Sequence, residues 1–282
     1  MIHVVTDSTA SVPPELVQEC GIHVVPQIVN FGGETFRAGV DLSIDEFYQR
    51  LAAASDLPTT SQPSAGDFSE LFARLTADGS TVLALVVSNE LSGTYLSAQG
   101  ARGMLPDADI HVIDTRSVSA PLGFMVVEAA RLAQAGADLE AIKARVAQMG
   151  AAFHIYFLVD TLEYLRRGGR IGGAAALLGT ALRMKPILSI QNGRVEPFER
   201  VRTKAKATAR LMDLVRLGVD PHRDGKIYLA MVHGNAYDQA SALHAELVQE
   251  FHPAETMLID LTPAIATHSG PGVLAVAFYQ DP

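Results

Sequence analysis

The chain has 282 residues, of which 48% are hydrophobic and 19% charged, with one cysteine and no tryptophan. This length predicts one large or two ordinary domains, and a single cysteine excludes both an internal disulfide and a cysteine metal cluster. The net charge of −9 argues against nucleic acid as the main partner. We find neither a signal-peptide pattern nor the apolar run of about 20 residues that spans a bilayer, so we expect a cytoplasmic protein without integral membrane association.

The first half of the chain alternates predicted strands with predicted helices. The predicted elements are a strand at Ile2–Val5, a helix from Pro14 to Gly21, a strand at Ile22–Phe31, a helix ending near Ala54, a helix at Asp67–Ala77, a strand at Thr81–Val87, a helix at Thr94–Arg102, a strand at Ile110–Ile113, and helices at Ser117–Gln134 and Leu139–Met149. Gly32-Gly33 indicates a hairpin turn. The segment Pro58–Ser64 has no apolar residue and is predicted to be a loop whose hydroxyls are free for binding.

The second half mixes hairpins with crossovers. The predicted elements are strands at His154–Val159, Ile187–Ile190, Arg194–Glu199, Ile227–Val232, Leu258–Leu261 and Val273–Tyr279, and helices at Leu162–Arg167, Ala174–Arg183, Lys204–Leu217 and Tyr237–Phe251. Asn192-Gly193 is a strong hairpin signal. We therefore predict an α/β protein of two domains. Residues 1–152 form a three-layer α/β/α domain with a mostly parallel sheet, and residues 153–282 form a two-layer α/β domain with a mixed sheet.

Polar clusters follow three strands of the predicted parallel sheet. They are Thr6-Asp7-Ser8, Ser88 to Thr94, and Asp114-Thr115. Ligands bind at the carboxyl ends of parallel strands, and Ser92-Gly93-Thr94 also begins a helix, where free N–H groups attract an anion. Each cluster alone could be a helix cap or a turn. If Thr60-Ser61 folds over the same edge, the combination favours a binding site for an acidic group.

The usual catalytic signatures are absent from the sequence. There is no Gly-x-Ser-x-Gly elbow, no phosphate loop, no dinucleotide-binding glycine motif and no His-Glu-x-x-His zinc motif. His268 is set apart from the other histidines because it lies in Thr267-His268-Ser269-Gly270-Pro271-Gly272, which is interpreted as a rigid turn before a buried strand. A histidine there could donate to a carboxylate or act as a base, or it could simply bond its own turn.

Basic residues are concentrated between Arg166 and Arg210, a stretch with a net charge of +9 against −18 for the rest of the chain. This basic segment contains Arg166, Arg167, Arg170, Arg183, Lys185, Arg194, Arg200, Arg202, Lys204, Lys206 and Arg210. One interpretation is a set of solvated helix faces. The other is a docking surface for an acidic or phosphate-bearing partner.

Six segments, taken in order along the whole chain, resemble the DegV family of bacterial fatty-acid-binding proteins. They are Thr6-Asp7-Ser8, Thr60-Ser61-Gln62-Pro63-Ser64, Leu91-Ser92-Gly93-Thr94-Tyr95, Gly168-Gly169-Arg170-Ile171, Lys185-Pro186-Ile187-Leu188 and His268-Ser269-Gly270-Pro271-Gly272. The resemblance implies a long-chain fatty acid such as palmitate as the ligand, with its tail in a buried apolar tunnel between or within the domains.

The resemblance also implies roles for individual residues. The carboxylate would be held by the hydroxyls that match Thr60 and Ser92, with His268 close by. The neighbours Ser61, Gly93 and Thr94 would belong to the same loops, and Arg202 would support them. A separate fatty-acid kinase would phosphorylate the carboxyl group, with Arg170, Arg166 and Arg167 on the docking face. The protein would then need no catalytic residue, metal ion or cofactor of its own.

Two alternatives remain at this point. One is a hydrolase or acyltransferase that uses Ser92 and His268, with Asp7 or Asp114 as the orienting acid. The other is a sensor of small molecules, similar in fold to sugar- or dihydroxyacetone-binding proteins. A short polar pocket in place of a long apolar tunnel would favour the sensor.

Overall fold

The computed structural model describes residues 1–179, 184–220 and 222–281. The residues pack into two units. The first unit contains residues 1–43 and 58–151, and the second contains residues 44–57 and 152–282. None of the described helices has the length and apolar character needed to cross a bilayer. A boundary at residue 152 stays a prediction for independently folding domains, and the short segment 44–57 packs with the second unit.

The elements of the first 152 residues follow the predicted alternation. In chain order they are β1 (Ile2–Asp7), α1 (Pro14–Glu19), β2 (His23–Val25), β3 (Ile28–Phe31), β4 (Glu34–Arg37), α2 (Ile44–Ala53), β5 (Thr59–Ser61), α3 (Ala65–Thr76), β6 (Thr81–Val86), α4 (Thr94–Met104), β7 (Ile110–Asp114), α5 (Ala120–Gln134) and α6 (Leu139–Ala152). Of these, α2 belongs to the second unit.

The first unit contains a parallel sheet with the strand order β2-β1-β6-β7. Alternate residues of β6 face opposite sides of this sheet. Val82, Ala84 and Val86 pack against the buried phenylalanines of α3, Phe68 and Phe72. The other face is covered by α5, which contacts β1 and β6. This arrangement confirms the predicted α/β/α layers around a parallel sheet.

The predicted strand at Ile22–Phe31 is wrong as a single element. β2 joins the parallel sheet, whereas β3 pairs with β4 and β5 in a separate antiparallel sheet. The break falls at Pro26-Gln27, where Pro26 has no N–H to continue a ladder and the Gln27 N–H donates to the Ser8 hydroxyl at 3.0 Å. The hairpin predicted at Gly32-Gly33 is confirmed by the β3–β4 pairing.

The second unit also contains α2 and is built on a mixed sheet. Its remaining elements are β8 (His154–Leu158), α7 (Glu163–Arg167), β9 (Lys185–Gln191), β10 (Arg194–Val201), α8 (Lys204–Gly218), β11 (Ile227–His233), α9 (Tyr237–Phe251), β12 (Glu255–Asp260), α10 (Pro263–Ser269) and β13 (Leu274–Gln280). The strand order is β10-β9-β8-β13-β11-β12. β11 and β12 run parallel, and the other neighbouring pairs run antiparallel.

Helices α8 and α9 bury their apolar faces against one side of the six-stranded sheet. Leu211 and Val215 of α8 and Leu247 of α9 share a core with Met231 of β11 and Val276 of β13. A helix layer on a mixed sheet confirms the fold predicted for this half of the chain.

Two local predictions in this unit have different outcomes. Asn192 and Gly193 both have positive φ values, 52° and 81°, as the predicted two-residue hairpin turn requires. The helix predicted at Ala174–Arg183 is wrong in type where the structure describes it, because residues 172–177 form a tighter 3₁₀ helix. The remainder of that prediction, including Arg183, lies outside the described residues.

Candidate functional site

The carboxyl edge of the parallel sheet is organised around the buried carboxylate of Asp7, the last residue of β1. Its Oδ1 accepts from the Thr9 N–H at 2.9 Å, from the Thr9 hydroxyl at 2.6 Å and from Gln27 Nε2 at 3.0 Å. Its Oδ2 accepts from the Val87 N–H at 2.9 Å. Asp7 is therefore occupied in joining the ends of β1, β2 and β6.

A chain of hydrogen bonds runs outward from this anchor to Ser92. Gln27 Nε2 also donates to the Thr94 hydroxyl at 2.8 Å, and the hydroxyls of Thr94 and Ser92 are 2.8 Å apart. Thr94 is fully buried, whereas Ser92 is partly exposed. When Thr94 accepts from Gln27 and donates to Ser92, the Ser92 proton is left to be donated to a further acceptor.

Ser92 lies beside the start of α4 and does not occupy its N-cap position. The N-cap position is Gly93, which has no side-chain cap, and the Thr94 N–H donates a long hydrogen bond of 3.4 Å to the Ser92 hydroxyl oxygen. The first N–H groups of a helix carry partial positive charge and attract anions. The interpretation of Ser92 as a simple helix cap is thus weaker than its interpretation as part of a binding site.

The segment after β5 approaches the same helix start. A Cβ built on Gly93 would lie only 3.0 Å from Gln62 Nε2, so the Gln62 amide lies directly over the Gly93 backbone. The structure thereby brings the Pro58–Ser64 segment to the carboxyl edge of the sheet, as the sequence predicts.

The loop predicted at Pro58–Ser64 contains a strand. Thr59–Ser61 forms β5, where Thr60 pairs with Val29 of β3. Side chains alternate along a strand, so Thr60 faces one side and Ser61 faces the other. Thr60 is half-buried and Ser61 is exposed. The Ser64 hydroxyl is not free, because it accepts from the Asp67 N–H at 3.1 Å in a capping box that begins α3.

The third polar cluster at this edge supports loops. Asp114 Oδ1 accepts from the Asn89 N–H at 3.2 Å and from the Arg116 N–H at 2.9 Å. The Thr115 hydroxyl donates to the Val86 carbonyl at 2.8 Å. These bonds hold the loops after β6 and β7, so Asp114 and Thr115 have structural roles.

In the second unit, His268 lies in the last turn of α10 and not in the predicted turn. The signal for this helix is Pro263 at its first position after Thr262. The His268 ring is packed against Gly168, where an added Cβ would be 2.1 Å from Nδ1. Burial, and then the charge of Arg170, lower the pKa of His268 to about 4. The imidazole is therefore neutral at pH 7.

The residues after His268 are packed as tightly as the histidine itself. Gly270 has a φ of 75°, and a Cβ at this position would meet the Tyr164 ring at 2.4 Å. The Ser269 hydroxyl donates to the Ile265 carbonyl at 3.1 Å. The His-Ser-Gly-Pro-Gly motif thus fixes the histidine on a rigid corner, and Ser269 is occupied within the helix.

Several cations of the basic segment have local partners. Arg166 and Arg167 both pair with Glu163, Lys204 pairs with Asp160, and Arg210 pairs with Glu199. Arg170 is half-buried and donates to the Gly168 carbonyl at 2.6 Å. Arg202 is exposed between β10 and α8. The surface is therefore less positive than a count of its basic residues suggests.

Gln27 was not predicted as a site residue, and Gln62 and Gly168 were named only as members of the family motifs, without their contacts. Gln27 follows β2 at the same sheet edge as Asp7, so the rule that selected the other clusters would also have selected it. Nothing in the sequence pairs Gly168 with His268, since their contact joins α10 to the end of α7. In the described part of the chain, no group of three metal-ligating side chains is placed to hold a metal ion.

Comparison with known proteins identifies a family that the chain matches. A family model described as "Uncharacterised protein, DegV family" matches residues 1–281. A DegV domain-containing protein of Halalkalibacterium halodurans is 35% identical over 281 residues, covering 99% of each chain.

Two solved structures are similar over almost the whole chain. A DegV family protein from Thermus thermophilus, described by its fatty acid binding, is 35% identical with a TM-score of 0.92, covering 99% of each chain. DegV from Bacillus subtilis, described as a fatty acid binding protein, is 33% identical with a TM-score of 0.92 and the same coverage.

Proposed function

The chain belongs to the DegV family, and we propose that it binds a long-chain fatty acid such as palmitate by its carboxylate. The observation that carries this proposal is the hydrogen-bond chain from Gln27 through Thr94 to Ser92, beside the start of α4. It presents a donor, next to a positive helix terminus, to an acceptor outside the protein. The relatives described as fatty acid binding supply the chemical class of that acceptor.

Thr60 is proposed as a second hydroxyl donor to the same head group, because Gln62 brings its segment to the start of α4. His268 and Arg202 are proposed as further head-group contacts on the strength of the family motifs. His268 would act as a neutral donor or acceptor, since its lowered pKa removes the positive charge at pH 7. The contributions of Ser61 and Gly93 would come from their places in the same two segments.

Most of the affinity would come from the tail. Burial of apolar groups contributes about 0.8 kcal/mol per CH₂, so a chain of about sixteen carbons in an apolar tunnel binds tightly without further contacts. The head group then has to satisfy its hydrogen bonds, because an unpaired buried carboxylate is costly. A few hydroxyls and a histidine are sufficient for that purpose.

The hydrolase alternative is less well supported by the contacts of its supposed catalytic residues. Asp7 and Asp114 are both occupied by loop and strand-end donors of the first unit. The charge next to His268 is the cation Arg170, which lowers the pKa of the imidazole, whereas a triad uses a carboxylate that stabilises the imidazolium. We therefore propose a carrier without chemistry of its own.

The small-molecule sensor is tested by ligand length. Palmitate and octanoate have the same head group and differ only in apolar length, so a long tunnel favours palmitate strongly and a short polar pocket does not. Titration calorimetry with both acids distinguishes these two functions.

The head-group proposal is tested by comparing palmitate with its methyl ester on delipidated protein. The ester keeps the tail and removes the negative charge, so we expect an affinity at least about tenfold lower, as for the loss of about 1.5 kcal/mol from charge-assisted hydrogen bonds. Equal affinities for the acid and the ester would overturn the proposal.

We further propose that a partner kinase phosphorylates the bound fatty acid and docks on Arg166, Arg167 and Arg170. The exposed positions of Arg166 and Arg167 support this assignment, and the carboxylate of Glu163 partly offsets their positive charge. Arg170→Ala should lower phosphorylation by the kinase without changing fatty-acid affinity. Equal loss of both would show that Arg170 acts through His268, whose pKa it lowers.

A further inference from the structure

A second polar site lies in the second unit, at the carboxyl ends of the parallel pair β11 and β12. His233 and Asp260 are the last residues of these strands and are paired in register. Their side chains approach each other, with Nδ1 of His233 3.4 Å from Oδ1 of Asp260. The proposed fatty-acid function makes no use of either residue.

Three buried polar atoms at this position have no hydrogen-bond partner among the described residues: Nδ1 of His233, Oδ1 of Asp260 and the hydroxyl of Tyr48. The separation of 3.4 Å between His233 and Asp260 is longer than the usual range for a hydrogen bond. Tyr48 comes from α2, and its hydroxyl is 2.8 Å from the position of a Cβ on Gly234, next to His233. His233 is only 3% exposed. Leaving such groups unsatisfied is costly, so a polar ligand at this position would be stabilised by them.

His233 and Asp260 line an acidic cleft of about 730 Å³. Its described lining residues include Asp45, Asp238 and Asp260, with no Lys or Arg among them. The Tyr237 ring is 61% exposed at the cleft and contacts the His233 ring edge to face at 5.7 Å. The volume is that of a small-molecule pocket.

The charge state of the two strand-end residues is consistent with a cationic ligand. Burial lowers the pKa of His233, so its imidazole is neutral and offers an acceptor nitrogen. Burial, and the nearby charge of Asp45, raise the pKa of Asp260 against the opposing effect of His233. A carboxylate in that environment gains from a cation that offsets both its burial and its acidic neighbour.

We propose that this cleft binds the ammonium group of a small organic amine. An ammonium group carries three N–H donors, which match the three unsatisfied acceptors on Asp260, His233 and Tyr48. The Tyr237 face and the other two aspartates are available to the body of the ligand or to a second amine. A metal ion fits less well, because the described residues do not place three ligating side chains together.

The probe is putrescine, titrated into the full-length protein by calorimetry at low ionic strength, with tetramethylammonium for comparison. Tetramethylammonium has the same charge per nitrogen and no N–H donor, so it separates hydrogen bonding from attraction to a negative surface. We expect putrescine to bind with a Kd below about 1 mM and tetramethylammonium at least about tenfold more weakly.

Two variants test whether putrescine binds in this cleft. Asp260→Asn keeps the side-chain shape and removes the charge, and we expect it to lower putrescine affinity at least about tenfold. Asp224→Asn makes the same change at an exposed position outside the cleft and should leave the affinity unchanged. The absence of putrescine binding, equal binding of tetramethylammonium, or equal affinity in Asp260→Asn would overturn the proposal.

Unmodified protein provides a check that does not depend on the folding of a variant. Putrescine should shift the ring resonances of His233 in the NMR spectrum, and those of the exposed His222 should not move. A spectrum in which His233 is unaffected at saturating putrescine would also overturn the proposal.

Discussion

Two other side chains position the hydroxyl of Ser92. Gln27 donates to Thr94, and Thr94 is 2.8 Å from Ser92, so rotation of the serine hydroxyl is coupled to a buried amide that also bonds Asp7. Networks of this kind hold a donor in one orientation before the ligand arrives. In the proposed function, Thr94 would therefore position Ser92, and Ser92 would contact the ligand.

Ser92→Ala combined with Thr60→Ala should weaken fatty-acid binding by at least about tenfold, because charge-assisted hydrogen bonds contribute about 1.5–3 kcal/mol each. The fold should be intact, since neither hydroxyl is part of the core. The measurement is fatty-acid titration of delipidated protein, accompanied by thermal unfolding.

Thr59→Ala is the matched control for this double variant. Thr59 is exposed on the opposite face of β5 from Thr60. The fatty-acid affinity of the Thr59→Ala variant should therefore equal that of the unmodified protein. If the double variant also kept its affinity, the head-group assignment would be wrong.

His268 should titrate with a pKa of about 4, as burial and the charge of Arg170 dictate. Between its usual pKa of 6.5 and this value, the unfolded chain binds a proton that the native protein does not. The free energy of unfolding therefore falls as the pH falls through this window and levels off below it. His268→Gln should reduce this pH dependence, as measured by urea unfolding.

The NMR titration of the His268 ring gives the direct measurement. In Arg170→Gln the pKa should rise, because the charge that lowers it is removed. A His268 pKa near 6.5 in unmodified protein, or one unchanged in Arg170→Gln, would contradict this account.

At the scale of elements, periodic patterns located most helices and strands, and the failures have local physical causes. The segment Ile22–Phe31 was predicted as one strand because apolar residues lie on both sides of Pro26-Gln27, and the chain changes sheets at these two residues. The polar segment Pro58–Ser64 forms β5 because β3 offers a free edge, which composition alone cannot reveal. His268 was assigned to a turn because the glycines after it obscured the helix that begins at Pro263.

The packing of α5 provides a stability prediction at this scale. A Cβ on Gly123 would lie 2.6 Å from the Ala10 carbonyl oxygen, a backbone atom that cannot move aside easily. Gly123→Ala should therefore lower the free energy of unfolding by about 1–3 kcal/mol, despite the higher helix propensity of alanine.

Gly103→Ala is the matched control in α4, since no atom lies within 4 Å of its added Cβ. Only the higher helix propensity of alanine acts at this position, and we expect it to raise the free energy of unfolding by up to about 1 kcal/mol. Urea unfolding measures the free energy of unfolding of both variants. Equal effects of the two substitutions would contradict the assigned contact between α5 and the Ala10 carbonyl.

At the scale of the whole molecule, the site was partly predictable because its residues follow one geometric rule. The ends of parallel strands meet at one edge, so Asp7 and Ser88–Thr94 could be grouped from the sequence alone. The separate roles of these residues could not be predicted, because they depend on the donors from which each side-chain oxygen accepts a hydrogen bond. Likewise, the net charge of the basic segment could be counted from the sequence. The ion pairs of its cations with Glu163, Asp160 and Glu199 could not be predicted.

The proposed docking of a kinase depends most on the cations whose charge is not offset by a paired carboxylate. Arg200 and Lys206 are exposed and form no ion pair with any described residue. Arg200→Glu combined with Lys206→Glu should slow association with the kinase several-fold at low salt, with the difference shrinking as salt rises. Surface plasmon resonance at two ionic strengths measures this effect.

Arg223→Glu combined with Lys226→Glu is the matched control. It makes the same change in net charge at exposed positions outside the basic segment. Equal slowing by both double variants would mean that the partner responds to total charge, and the docking surface would have to be assigned elsewhere.

Native mass spectrometry of the purified protein, before and after solvent extraction, tests the central claim most directly. We expect the purified protein to carry an additional mass that matches a long-chain fatty acid. This mass should be lost on extraction and should return when palmitate is added. Protein that carries no acyl chain as purified and takes up no palmitate afterwards would contradict the proposed function.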